Sequence, residues 1–371
     1  MRIAFYAPMK PVDHPTPSGD RQVARLLIRA LRELGHDVGI ASSLRTWLKA
    51  GSPVAQRALA DQARDEAERL LAGFEAKDEA PELWLTYHLY HRAPDWIGPR
   101  VAEALGIPYL VVEASRAKKR ARDEWAEGFA ACERSLELAD AVLAMHSRDR
   151  IGLAEKVAED RLFALAPFID TAPFAPITDR RTYPSEDTPR LLTVAMMREG
   201  QKDRAYAALA EALPRLAVPD WHLWIAGDGV RREAVLGRFD PARMTWLGVR
   251  PADAMADIYL SGDLFVWPAI KEAYGLVFLE AQATGLPVVG GDAGGVPEIV
   301  ADGVTGLLTP EGDIDAFAEA TARMMADPDR LAEMGRAAAR HAREKHDIEG
   351  GKATLERILA TVRARQTGYA S

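Results

Sequence analysis

The sequence predicts an α/β protein built from two doubly wound domains. Three observations carry that reading. Short apolar runs of strand length alternate with helical stretches through the first half of the chain, a proline-rich interval then breaks the pattern, and the alternation restarts beyond it. The chain has 371 residues, which favours two hydrophobic cores over one.

Ile3 to Ala7 forms the first strand, and Pro8 ends it. The loop from Met9 to Gly19 closes with Pro17-Ser18-Gly19. A helix follows with Val23, Leu26, Leu27, Ala30, Leu31 and Leu34 on one stripe, the 3.6-residue period of a helix covering a sheet. Gly35 stops it, and His36 to Ile40 opens the second strand. Leu83–Leu85, Tyr109–Val112 and Ala141–Ala144 are further strands. Pro167, Pro173, Pro176 and Pro184 mark an interdomain linker. Strands resume at Leu191–Val194, Leu223–Ala226, Leu264–Trp267 and Pro287–Val289, and the tail from about residue 327 is helical and charged. The predicted limits are 1–168 for the first domain, 169–189 for the linker, 190–346 for the second domain and 347–371 for a C-terminal helix. Two such domains around a hinge make a cleft, with ligands outside the carboxyl ends of the strands.

Composition narrows the function. Apolar residues make up 48% and charged residues 27%, an ordinary globular balance. A net charge of −8 argues against nucleic acid as a partner. The single cysteine, Cys132, allows no internal disulfide and suits a reducing compartment. The apolar run after Met1-Arg2 is too short for a signal peptide, and no stretch approaches the roughly 18 apolar residues of a membrane span. A cytoplasmic protein is expected.

The most informative segment runs from Lys271 to Ala281, after the strand ending at Trp267 and a Pro268-Ala269-Ile270 turn. A helix should begin near Gly275 and run past Ala283. Its first amides lack partners within the helix and form an anion site. Glu272 lies in the loop before that helix and Glu280 about two turns inside it, so one carboxylate reaches the strand-end crevice while the other lines its wall. Carboxylates only accept hydrogen bonds and so suit hydroxyl-rich groups. Two solvated glutamates would show the same spacing.

Glu272 and Glu280 also form the E-x(7)-E pattern of retaining GT-B transferases. The text from Pro268 through Glu280-Ala281-Gln282-Ala283-Thr284-Gly285-Leu286-Pro287 resembles the signature of family-4 (group 1) glycosyltransferases. The resemblance continues through Gly294-Gly295-Val296-Pro297-Glu298 and Asp302-Gly303-Val304-Thr305-Gly306, extends upstream to Ile225–Gly229 and Trp246-Leu247-Gly248, and covers about residues 190–345. It implies a GT-B fold of two Rossmann-like domains facing across a cleft, with the final helix returning to the N-terminal domain. It implies transfer of a hexosyl group from a nucleoside-diphosphate sugar to a glycan, lipid-linked or small-molecule acceptor, with retention at the anomeric carbon and neither cofactor nor metal.

By the same resemblance, Glu272 bonds the donor sugar, Glu280 the ribose, and the residues around Tyr274, Gly275 and Leu276 the diphosphate. Lys202 matches the family lysine. The family arginine falls on Met196, a departure for which Arg198 is the nearby substitute. In the N-terminal half, Pro17-Ser18-Gly19 stands where the family has a glycine-rich loop, and Pro167–Asp170 with Phe174 resembles its linker motif. Ser18 can cap the first helix, and the amides of Ser18 and Gly19 are placed for donor phosphate. Relatives often carry a histidine after the strand matching Tyr109–Val112, where this chain has Glu113. His88, His91 and Glu113 are therefore the candidate acceptor contacts.

Arg116, Lys118, Lys119, Arg120 and Arg122 crowd one short stretch before Trp125. They read as a solvated helix face, a site for an anionic acceptor, or a peripheral contact with anionic lipid at the inner face of a membrane. Three other classes stay open. A nucleotide-sugar epimerase can share the fold. A decayed, non-catalytic member would still bind nucleotide sugar. A dinucleotide oxidoreductase rests only on Gly227-Asp228-Gly229, and the third glycine of its motif would fall on Arg232.

Overall fold

The computed structural model describes residues 1–16, 18–174, 188–218 and 220–368. Pro17, Pro176, Pro184 and most of the 169–189 interval lie outside the described residues. The chain divides into two compact units, Met1–Ala166 together with Gly351–Ser371, and Pro167–Gly350.

The first unit runs β1 (Arg2–Tyr6), α1 (Gly19–Glu33), β2 (Asp37–Ser42), α2 (Pro53–Lys77), β3 (Leu83–Leu89), α3 (Gly98–Leu105), β4 (Tyr109–Ala114), α4 (Ala126–Leu138), β5 (Ala141–Ala144), α5 (Ser147–Ala154) and β6 (Leu162–Ala164). Its sheet is parallel with strand order β2-β1-β3-β4-β5-β6. Strands covered on both faces are nearly continuous in apolar residues, as β4 and β5 are, with every residue buried. α1 buries Val23, Ala24, Leu27, Ile28, Ala30 and Leu31, whereas Leu26 and Leu34 are half-buried, so its buried stripe is rotated slightly from the predicted one.

One buried carboxylate ties several elements of this unit together. Asp95 accepts from the amides of Ile97 (2.9 Å) and Gly98 (2.7 Å), from Thr86 Oγ1 (2.5 Å) and from the Tyr109 hydroxyl (3.0 Å). Burial raises its pKa, and these four donors oppose that rise. They tie the loop after β3 to the start of α3 and to β4.

The second unit runs β7 (Arg190–Val194), α6 (Gln201–Ala212), β8 (His222–Ala226), α7 (Arg232–Leu236), β9 (Met244–Gly248), α8 (Met255–Ser261), β10 (Leu264–Trp267), α9 (Leu276–Ala283), β11 (Val288–Asp292), β12 (Gly306–Pro310), α10 (Ile314–Met325) and α11 (Pro328–Lys345). Its parallel sheet has the order β12-β11-β10-β7-β8-β9. The last helix, α12 (Ile348–Gly368), belongs to the first unit from Gly351 onward. There Lys352 Nζ lies 3.3 Å from Glu33 Oε2 on α1, and Arg365 donates to the Asp160 carbonyl at 2.7 Å. No helix among the described residues is long and apolar enough to cross a membrane.

Candidate functional site

Each strand order reverses once, between β1 and β3 in the first unit and between β7 and β10 in the second. Loops leaving the carboxyl ends of two such strands run in opposite directions and open a crevice between them. In the second unit Lys202 and Glu272 come from the helix start and the loop that flank that reversal.

In the second unit, Lys202 stands in the first turn of α6, after β7, and Glu272 in the loop between β10 and α9. Lys202 Nζ lies 2.5 Å from Glu272 Oε2, and the indole N–H of Trp267 donates to the same oxygen at 3.2 Å. The ammonium also stands 5.2 Å from the Trp267 ring centroid. Trp267 is fully buried and packs edge-on against Tyr206 at 5.0 Å. The Lys202 and Glu272 side chains are only 18% and 14% exposed, so solvent screens the pair weakly.

The loop that presents Glu272 is strained. Ala269 and Lys271 adopt φ of +52° and +46°, at a cost of about 1–3 kcal/mol each. A neighbouring carboxylate and a neighbouring backbone amide hold it in place. The Lys271 amide donates to Glu311 at 3.0 Å, and the Gly295 amide donates to the Ala273 carbonyl at 2.7 Å. A Cβ on Gly294 would lie 1.8 Å from the Glu272 carbonyl oxygen, so the loop after β11 can approach this closely only as glycine.

α9 begins where the sequence places it. Gly275 caps it at φ +69° with no side-chain acceptor for the first-turn amides. The expected continuation past Ala283 does not occur: Thr284 caps the helix, and Gly285, at φ +77°, turns the chain toward Pro287. Glu280 is buried in the second turn and accepts from the Tyr259 hydroxyl at 2.7 Å. Burial, and then the Glu280 charge, raise the pKa of Tyr259 well above its usual value. Tyr274 is buried beside Gly295. Arg198 is exposed and pairs with no carboxylate among the described residues, so Lys202 alone meets Glu272.

In the first unit, Ser18 Oγ caps α1 by accepting from the Arg21 amide at 3.3 Å, and Gly19 begins the helix, exposed. His88 and Glu113 lie inside β3 and β4 rather than after them, because both strands run on past their apolar runs. Both adopt left-handed backbone, φ +65° and +58°. His88 Nδ1 lies 3.3 Å from Asp20 Oδ1 in the first turn of α1 and 3.6 Å from Glu113 Oε1. Burial lowers the histidine's pKa, but the Glu113 and Asp20 carboxylates outweigh it and hold the value at about 9. His91, after the strand, behaves oppositely. Burial, Arg120 and Arg92 push its pKa down to about 4, and its ring packs edge-on to Trp125 at 5.4 Å.

The stretch from Arg116 to Arg122 is not the continuous basic face the sequence suggests. Arg116 is 9% exposed and pairs with Glu133 and Glu155, each at 2.7 Å, and Lys118 reaches Glu155 at 3.6 Å. Trp125 is buried.

The sequence reading missed Asp20, Tyr259 and Trp267, which hold the predicted residues in place. Trp267 and Tyr259 read as apolar core, and nothing in the sequence marks their polar atoms as partners of Glu272 and Glu280. Asp20 follows directly on Ser18-Gly19, and that position was its only signal.

Residues 188–327 match the family described as Glycosyl transferases group 1. Over 199 residues the chain is 36% identical to a GDP-mannose-dependent alpha-(1-6)-phosphatidylinositol monomannoside mannosyltransferase of Mycolicibacterium smegmatis, covering 48% of this chain and 50% of that one. It is 46% identical over 92 residues to a D-inositol 3-phosphate glycosyltransferase of Kribbella flavida, covering 25% of this chain and 22% of that one. The matched stretches thus span half or less of these curated relatives. Among solved structures, the sucrose-phosphate synthase of Thermosynechococcus elongatus is similar with a TM-score of 0.75 at 20% identity over the whole of both chains. Anabaena HepE in complex with UDP gives 0.71 at 15% identity, covering 97% of this chain and 100% of that one. Likeness at those identities establishes the fold, which is α/β of the GT-B type.

Proposed function

We propose that the chain, whose residues 188–327 match the family described as Glycosyl transferases group 1, is a retaining glycosyltransferase that moves a hexosyl group from a nucleoside-diphosphate sugar to an acceptor hydroxyl without a metal ion. One observation carries the reading. At a single strand-order reversal the second unit gathers the Lys202–Glu272 pair, the uncapped start of α9 and the buried carboxylate of Glu280.

Each part has a role in that chemistry. Glu280 accepts hydrogen bonds from the ribose hydroxyls while Tyr259 fixes its carboxylate. The amides at Gly275 and Leu276 and the Lys202 ammonium meet the diphosphate, and Arg198 supplies a second cation from an exposed position. Glu272 accepts from a hydroxyl of the donor sugar. When the bond from the anomeric carbon to the phosphate oxygen breaks, its electron pair stays with the diphosphate. Preorganised cations and amides then stabilise the charge that develops. The acceptor hydroxyl adds on the face the phosphate leaves, and its proton passes to the departing phosphate oxygen. In the first unit, His88 and Glu113 bind acceptor hydroxyls, the histidinium as donor and the carboxylate as acceptor.

Calorimetric titration with UDP, GDP and ADP, with and without EDTA, tests the donor reading. Proton NMR of the transfer or hydrolysis product of the sugar form that binds then tests the stereochemistry. One diphosphate should bind in EDTA and the product should keep its anomeric configuration. Binding of none of the three, loss of turnover in EDTA, or an inverted product would refute it.

A further inference from the structure

The chain enters the second unit at Pro167, ahead of the family match at 188–327, and leaves it at Gly350. These two ends are tied to each other. The Ile169 amide donates to the His346 carbonyl at 2.9 Å, and His346 Nδ1 lies 2.7 Å from the Pro167 carbonyl. A carbonyl only accepts, so that nitrogen carries the proton. Asp347 accepts from the Thr171 amide at 3.2 Å and also from the Thr171 hydroxyl. His346 and Asp347 follow directly on α11, which packs against α9, the helix that carries Glu280.

Beyond Thr171 the segment makes one more turn, closed by the Phe174 amide donating to the Thr171 carbonyl at 3.0 Å. The Phe174 ring is half-buried and packs edge-on against Tyr259 of α8, with centroids 6.1 Å apart and planes at 69°. Aromatic pairs favour this geometry because the positive edge of one ring meets the negative face of the other. Tyr259 is fully buried, and Phe265 of β10 also packs on it, at 6.1 Å. The Tyr259 hydroxyl donates to Glu280 at 2.7 Å. Tyr259 therefore links the entering segment to Glu280, ring against ring at one end and hydroxyl to carboxylate at the other. A hydroxyl at the tip of a ring moves further than the ring's attachment when the ring tilts, and a hydrogen bond weakens steeply as it bends. Without the Phe174 ring, Tyr259 would have a gap to tilt into.

We propose that Phe174 is a positioning residue for the ribose site: its ring holds Tyr259 so that the hydroxyl sets the Glu280 carboxylate for the ribose diol of the donor. The inference rests on the reading of Glu280 as the ribose ligand. It goes beyond that reading by placing a determinant of donor affinity in the segment through which the chain enters the unit.

The ligands are UDP, GDP and ADP, with the 2′,3′-dideoxy form of whichever binds. They are titrated calorimetrically into the full chain and into Phe174→Ala, Phe174→Tyr, Tyr259→Phe and the double variant Phe174→Ala/Tyr259→Phe. Amide NMR spectra confirm that each variant folds, and Phe174→Leu, which fills the space without an aromatic face, repeats the comparison should the alanine variant not fold. Phe174→Ala should weaken binding of the ribose-bearing diphosphate by about two- to fivefold and leave that of the dideoxy form unchanged. Phe174→Tyr keeps the ring and should bind as wild type does. In the Tyr259→Phe background Phe174→Ala should cost nothing further, because the hydroxyl it positions is gone. A lowered melting temperature with unchanged diphosphate affinity, an equal loss for the dideoxy form, a Phe174→Tyr variant as weak as Phe174→Ala, or a loss that persists beside Tyr259→Phe would overturn the proposal. The wild type separates this inference from the one beneath it. If it binds the dideoxy form as tightly as the ribose form, Glu280 does not hold the ribose and the donor reading fails as well. If it prefers the ribose form and Phe174→Ala keeps the whole of that preference, only this inference fails.

Discussion

Lys202 and Glu272, 70 residues apart in sequence, are joined at 2.5 Å across the strand-order reversal of the second sheet. The cation proposed to meet the diphosphate is thereby paired with the carboxylate proposed to meet the donor sugar. The Trp267 indole contacts both, donating to the same carboxylate oxygen, and in the proposed reaction it would hold that carboxylate once the lysine turns to phosphate.

That relationship gives the first prediction. Glu272→Ala releases Lys202, so free nucleoside diphosphate should bind about fivefold tighter, the scale of a partly screened ion pair of about 1 kcal/mol. Turnover should fall at the same time, because the donor sugar loses its acceptor group. Calorimetry and steady-state hydrolysis of the nucleotide sugar measure the two effects. Weaker diphosphate binding would mean that Glu272 touches the nucleotide rather than the sugar.

Glu280 separates from Glu272 by what it loses. Glu280→Gln should weaken free diphosphate binding by about 1.5–3 kcal/mol, the scale of a hydrogen bond to a charged group. Tyr259→Phe removes only the hydroxyl that orients Glu280 and should cost less, about 1 kcal/mol. A Tyr259→Phe effect as large as that of Glu280→Gln would make the tyrosine itself a ligand contact.

The cation at Arg198 is open to direct test. If it swings in to the diphosphate, Arg198→Ala should reduce turnover by about 10²–10³, as should Lys202→Ala. Turnover of Arg198→Ala within a few-fold of wild type would leave Lys202 as the only side-chain cation at the leaving group. Met196→Arg would then be the substitution expected to raise it.

Much of this arrangement was legible because buried parallel strands are contiguous apolar runs. Leu264–Trp267 reads directly as a strand, and so the loop and helix after it carry Glu272 and Glu280 to known places. Where the apolar run stops before the strand does, the reading failed. Thr86, His88 and Glu113 are polar, yet all three belong to their strands. The partly exposed β9 and the three-residue β6 have little apolar periodicity to detect. Gly227 and Gly229, which suggested a dinucleotide motif, have a packing reason instead. A Cβ at either would fall 2.0–2.2 Å from the Ala195 or Met197 carbonyl oxygen of the loop after β7. The charge pairs of the first unit were invisible for another reason. His88, Asp20 and Glu113 come from three different elements, and only the parallel pairing of β1, β3 and β4 brings them together.

His88 supplies the pH prediction. Its pKa is held at about 9 in the folded chain, against roughly 6.5 when unfolded. Below about pH 6.5 both states carry the proton, and the contribution to stability is fully present. Between about 6.5 and 9 the unfolded state has lost the proton while the folded state keeps it, so each step up in pH removes stability. Above about 9 the contribution is gone. The total is of the order of 3 kcal/mol, since each tenfold gain in proton affinity on folding is worth about 1.36 kcal/mol. Urea unfolding of the wild type should therefore show a midpoint that falls between pH 6.5 and 9. In His88→Gln the midpoint should lie lower at pH 6.5 and change far less across that window, because the group that gains proton affinity on folding is gone. NMR titration of the imidazole gives the same quantity directly and should place its midpoint near 9. A midpoint near 6.5 would mean that the two carboxylates do not hold the proton, and His88 would then act on an acceptor as a neutral imidazole.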